Sequence, residues 1–158
     1  MCVALLTGAL IGTLTGCSSD PVAIDAPELD AAAAKACRDL VDDLPDTLAG
    51  KGRRDVTGDT EYGAAWGDPA IVMTCGVGEP EGFTDTATCV QVDSTGWFVP
   101  DEVLEGDESM DVTTTELNYR PRVELVVPGE YRPEGFTNSI GALAKLIERD
   151  LVKTGRCH

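Results

Sequence analysis

Four cysteines, Cys37, Cys75, Cys89 and Cys157, constrain the fold of this chain more than any other feature. Their meaning depends on what precedes them. An apolar run from Val3 to Ile11 leads through small residues to Leu14-Thr15-Gly16-Cys17. Such a run suits the core of a secretory signal and is too short to span a bilayer comfortably. An exported chain folds in an oxidising compartment, where an even set of cysteines closes into disulfides. Two bridges across one domain leave few ways to arrange the segments between them.

The Leu14 to Cys17 stretch resembles the lipobox of bacterial lipoproteins, in which the signal is cut before the cysteine and the sulfur is acylated. That implies a signal peptide over residues 1–16, lipidation at Cys17, and a polar tether over residues 17–26 that continues Ser18-Ser19-Asp20. Acyl chains contribute about 0.8 kcal/mol per buried methylene, and stable anchoring takes two or more of them. Extended backbone spans about 3.3–3.6 Å per residue, so the tether would hold the domain within roughly 30 Å of the lipid surface. The basic residues that usually open such a signal are missing, Lys35 being the first cation. A start placed downstream of the natural one would account for that. The rival reading is a buried apolar helix opening a cytosolic domain. The expected location is the extracytoplasmic face of the membrane, reached through the lipid.

Beyond the tether, residues 27–158 are enough for one domain with a core and too few for two. Hydrophobic residues make up 42% of the chain, near the globular norm. The formal net charge is −16, none of it in the signal segment. That balance argues against nucleic acid and against electrostatic docking on anionic lipid, and most simply serves solubility. Of the six cysteines, Cys2 leaves with the signal and Cys17 takes the lipid. A zinc site among the other four is disfavoured, because none has C-x-x-C spacing and the only histidine is His158. The Arg156-Cys157-His158 ending lacks the upstream cysteine of a haem attachment site. No cofactor is implied.

Periodicity then orders the chain. Asp25-x-x-Glu28 reads as a capping box, with Pro27 in the first turn. Leu29, Ala33, Ala36, Cys37, Leu40 and Leu44 share one helical face, and Pro45 stops the helix. Strand signals come next: weakly at Arg53–Thr57, strongly at Ala70–Cys75, by alternation at Thr88–Val92, briefly at Trp97–Val99, weakly at Met110–Leu117, and strongly at Arg122–Val127. Thr137, Asn138 or Ser139 can cap a last helix with Ile140, Leu143, Ala144, Ile147 and Leu151 on its apolar stripe. Helix, strands, helix predicts an α+β domain: a mainly antiparallel sheet with an N-terminal and a C-terminal helix on one face, braced by two disulfides. The layout favours Cys75–Cys89 across successive strands and Cys37–Cys157 between the terminal helices. The latter would close more than a hundred residues and contribute about 4–5 kcal/mol by chain entropy. Pro80-Glu81-Gly82-Phe83-Thr84 recurs as Pro133-Glu134-Gly135-Phe136-Thr137, which reads as two similar turns rather than a duplicated half-domain.

Several stretches are familiar together: Ala36 to Leu40, Leu44 to Gly50, Gly63-Ala64-Ala65-Trp66-Gly67-Asp68-Pro69-Ala70-Ile71-Val72, Cys75 to Val77, Trp97-Phe98, and Tyr119 to Pro128. They resemble an actinobacterial family of exported proteins and lipoproteins of unknown function, DUF 3515. The resemblance implies an envelope location and a common fold, and it supplies no activity or site residues.

Trp66-Gly67-Asp68-Pro69 is the leading binding candidate, since a tight turn could present Trp66 and Asp68 to a sugar, a peptide or a partner. The alternative has Trp66 as a core lid. Arg53 and Arg54 could hold a carboxylate or phosphate, or simply form surface salt bridges. Asp101 to Asp111 fails as an EF-hand loop, because Val103 and Val112 occupy ligand positions, and reads as a solvated acidic loop. A terminal histidine gives a nucleophilic triad no base, and oxidised cysteines leave no thiolate. A carboxylate-pair glycosidase needs only two of 28 acidic residues to converge in a groove with one raised pKa. The expectation is a non-catalytic, membrane-tethered module that binds an envelope protein or wall component, with a wall-glycan hydrolase as the alternative.

Overall fold

The structure, a computed structural model, describes residues 20–84, 86–155 and 157. The expected signal segment over residues 1–16, Cys17, Arg156 and His158 lie outside the described residues. In chain order the elements are β1 (Val22–Ile24), α1 (Ala31–Asp42), β2 (Thr47–Leu48), β3 (Lys51–Gly52), β4 (Val56–Gly58), β5 (Gly63–Trp66), β6 (Ile71–Val77) and β7 (Cys89–Val92). After these come β8 (Thr95–Phe98), α2 (Asp101–Leu104), β9 (Val112–Glu116), β10 (Tyr119–Arg120), β11 (Arg122–Val127), α3 (Glu134–Asp150) and β12 (Val152–Lys153). No described helix is long and apolar enough to cross a membrane.

The β-branched runs of β6 and β11 pair at the heart of a six-stranded sheet in the order β5-β6-β11-β9-β8-β7, antiparallel throughout. Side chains alternate across a strand, so Met73 and Cys75 share a face with their partners Leu125 and Val123. α1 and α3 cover that face: Leu40, Val41 and Leu44 meet Ile140, Leu143 and Ile147 in one core with Trp66, Ile71, Met73, Trp97 and Leu125. Each of these aliphatic side chains contributes roughly 1.5–3 kcal/mol on burial. The fold is the expected α+β class.

The first helix starts later than the capping-box reading placed it. Asp30, not Asp25, caps α1, its Oδ1 accepting from Ala32 N and Ala33 N at 2.9 Å each. The residues before it are needed elsewhere. Val22–Ile24 pairs in parallel with β4, Ile24 is buried, and the Asp59 carboxylate accepts from Ala26 N at 3.0 Å. The expected tether over residues 17–26 therefore gives up Val22 onward to the folded domain. α3 begins near Glu134, a turn before the predicted caps. Ser139 is buried inside the helix and its hydroxyl donates to Gly135 O at 2.7 Å.

The disulfide pairing differs from the expected one. Cys37 of α1 bonds Cys75 of β6, and Cys89 of β7 bonds Cys157, with Cα separations of 5.5 and 5.8 Å. Cys75–Cys89 and Cys37–Cys157 do not form. β6 and β7 are neighbours among the long strands in sequence, yet β11, β9 and β8 lie between them in the sheet. Four strand spacings put them roughly 19 Å apart. Cys75 faces the helices, where Cys37 meets it. The segment carrying Cys157 is zipped along the far side: Thr154 N and Gly155 N donate to Asn118 O, Cys157 N to Asn118 Oδ1 at 2.6 Å, and Gln91 Nε2 to Cys157 O at 2.8 Å.

Candidate functional site

The structure brings Trp66, Asp68, Arg53 and Arg54 together as a packing knot. Trp66 is the last residue of β5, its indole wholly buried and its Nε1 donating to Pro45 O at 2.9 Å. It is the core lid, and the reading that presents it to a ligand is corrected: a strand position facing the helices leaves the ring no route to solvent. Arg53 covers that ring at 5.5 Å from its centroid and donates to Leu44 O. Arg54 donates to Gly67 O and Asp20 O and lies 3.4 Å from the Asp68 carboxylate. Both guanidiniums thus tie backbone segments together, and of the four Asp68 and Arg53 are exposed while Trp66 is buried and Arg54 half-buried.

The acidic segment from Asp101 is likewise tied down at several points. α2 opens it, and Arg132 donates to Met110 O at 3.0 Å, with longer contacts to Val103 O and Asp107 O. Asp107 accepts from Ser109 N at 2.7 Å, which holds its carboxyl below the ordinary value. Asp111 accepts from Gly129 N. Among the described residues no group of three or more His, Cys, Asp or Glu could hold a metal ion.

A concavity lies on the face of the sheet opposite the helices. Register places Gly63, Thr74, Glu124, Thr115, Phe98 and Cys89 on one rung that crosses all six strands. Above it sits a cavity of about 760 Å³, with Glu124, Thr113, Thr115 and Phe98 lining it from the sheet. Pro80–Gly82, Thr84, Thr86–Thr88 and the Pro100–Glu102 corner complete it. Phe83 meets Phe98 edge-on, ring centroids 5.5 Å apart, and the Thr84 and Thr86 hydroxyls are 3.3 Å apart.

Half-burial in the sheet pushes the Glu124 carboxyl above its ordinary value, and no ion pair or hydrogen bond of its side chain among the described residues offsets this. Glu81, Asp101 and Glu102 add carboxylates to the lining, which among the described residues contains no lysine or arginine. Threonine hydroxyls both donate and accept, carboxylates accept, and an aromatic edge offers apolar contact. That mixture suits a neutral, hydroxyl-rich ligand and opposes an anion. The volume falls in the range of small-ligand sites.

Sequence reasoning missed this site. The signal was present as the polar half of two alternating strands, Thr113 and Thr115 on β9 and Glu124 on β11. Which of those faces stayed uncovered was not legible. The repeated Pro-Glu-Gly-Phe-Thr segments also have unrelated places: the first lies over the groove, while the second opens α3.

Fold and site together define a disulfide-braced α+β domain with a polar groove on one sheet face. The chain belongs to DUF3515, a family described as protein of unknown function, whose pattern matches residues 1–154. No curated protein and no solved structure matches the chain.

Proposed function

We propose that this protein is an extracytoplasmic module, lipid-anchored through Cys17, that binds a neutral polyhydroxylated component of the cell envelope such as a wall glycan. The observation that carries this reading is the threonine- and carboxylate-lined groove around Glu124. The lipobox-like Leu14 to Cys17 stretch and the two disulfides support an oxidising, membrane-proximal location. The test is sedimentation of the protein with purified wall polysaccharide. Saturable binding that Thr113→Val and Glu124→Ala weaken by about tenfold is expected, the scale of one or two lost hydrogen bonds. Equal binding by wild type and both variants would place the ligand elsewhere.

A second reading has one observation in its favour. Glu124, whose carboxyl burial pushes above its ordinary value, shares the groove lining with the carboxyl groups of Asp101 and Glu102, the residue types a glycosidase pairs. Release of reducing ends from wall glycan by wild type, abolished by Glu124→Gln, would establish hydrolysis. Binding without release would leave the module non-catalytic.

A further inference from the structure

Among the described residues, the carboxylates that are not exposed are Glu116, Glu124 and Asp150. Glu116 accepts from three backbone N–H groups, and Asp150 is paired with Arg149. Glu124 has neither kind of partner. It alternates along β11 with Val123 and Leu125, which pack into the core under the helices. Its side chain therefore stands on the opposite face, in the groove lining, between Thr74 of β6 and Thr115 of β9. Those neighbours are uncharged. The cation two residues along β11, Arg122, contacts Glu79 at 3.3 Å instead. Glu81, Asp101 and Glu102, also of the lining, carry the same sign as Glu124.

A carboxylate withdrawn from water needs an opposite charge or several N–H donors to offset the withdrawal. Sugar hydroxyls bring it hydrogen bonds and no charge. An ammonium brings both, with three N–H donors to share between the carboxylate and neighbouring hydroxyls. We propose that the glycan bound in the groove, otherwise neutral, carries an unacetylated amino sugar whose ammonium pairs with the Glu124 carboxylate. This rests on the reading of the groove as a glycan site and names a group that the glycan must bear. Exposed Thr113 and the other hydroxyls of the lining serve the neutral part of the chain. The like-signed carboxylates around Glu124 add a field that favours a cation over a neutral group. Acetylation would turn the amine into a neutral amide, removing the charge and two of the three donors.

Calorimetric titration of the disulfide-intact protein with a glucosamine oligomer tests it, beside the N-acetylglucosamine oligomer of the same length, at a pH that keeps the amines protonated. The glucosamine oligomer should bind about tenfold tighter or more, the scale of one charge-assisted hydrogen bond. Glu124→Gln keeps the shape and removes the charge, so it should bring the two oligomers within about twofold of each other. Glu108→Gln, at an exposed carboxylate outside the lining, should leave the preference intact. That control separates a paired ammonium from general attraction to a chain of net charge −16. Thermal melting checks that the variants fold. Should Glu124→Gln not fold, the wild-type Glu124 carboxyl signal in NMR decides: its pKa should fall when the glucosamine oligomer binds and not when the acetylated one does. Equal or tighter binding of the acetylated oligomer overturns the proposal and leaves the groove a neutral-glycan site, as does a preference that Glu124→Gln retains. Binding of neither oligomer also overturns it, and sedimentation with wall polysaccharide then shows whether the glycan reading falls as well.

Discussion

Glu116 on β9 and Glu124 on β11 carry the same side chain into opposite situations. Glu116 is fully buried, and its carboxylate accepts from Gly96 N, Asn118 N and Tyr119 N at 3.2, 2.9 and 2.8 Å. Burial pushes its pKa up and the three N–H donors oppose that, with burial the larger effect. Glu116→Gln turns an amide N–H toward one of these donors and should lower stability by about 1–3 kcal/mol in urea unfolding. Glu124 has burial alone acting on it. Its folded pKa exceeds the ordinary 4.5, so the folded chain holds that proton more tightly than the unfolded one. The resulting stability is fully present below that ordinary value and is lost as pH rises through the raised one. Glu124→Gln removes the loss. Unfolding measured across pH should show the variant more stable than wild type at neutral pH, the advantage fading in acid. A groove carboxyl that weakens the fold when ionised fits a residue kept for binding.

Among the elements, local pattern identified what could form and left the boundaries to contacts. β11 runs over the predicted Arg122–Val127, because a strong apolar run stopped by Pro128-Gly129 has few alternatives. β1 was illegible, since three residues make a strand only when β4 arrives some thirty residues later. Pairing there needs Gly58, whose φ of +77° suits glycine and where a Cβ would collide with Ile24 O. Gly58→Ala should therefore release β1, seen as rapid amide exchange at Asp59, whose N–H bonds Ile24 O, while β6 and β11 stay protected. Asp25 reads as the cap in the sequence. Drawing Val22–Ile24 into β1 leaves Asp30 the position. Asp30→Ala should cost about 1 kcal/mol by thermal melting, with Asp25→Ala nearly silent.

Across the molecule, the disulfides join distant parts rather than sequence neighbours. Cys89–Cys157 spans a separation of 68 residues and Cys37–Cys75 one of 38. Each constrains the unfolded chain by about 4 kcal/mol on chain-entropy grounds. Non-reducing peptide mapping should recover these two linked pairs. Cys89→Ser with Cys157→Ser should loosen the edge strand β7 and the end of the chain first, since β7 then rests on its ladder to β8 and the end on the β10–β12 pair and the hydrogen bonds it shares with Asn118 and Gln91. Residue pattern alone dictated the α+β class, an antiparallel sheet, two long terminal helices and the oxidised state of four cysteines. These come from local periodicity and cysteine usage, which require no knowledge of neighbours. Long-range packing settled the cysteine partners, the burial of Trp66 and the placing of Glu124 in a groove. Each of these turns on strand order and on which sheet face the helices cover, and both are set by contacts between residues far apart in the chain.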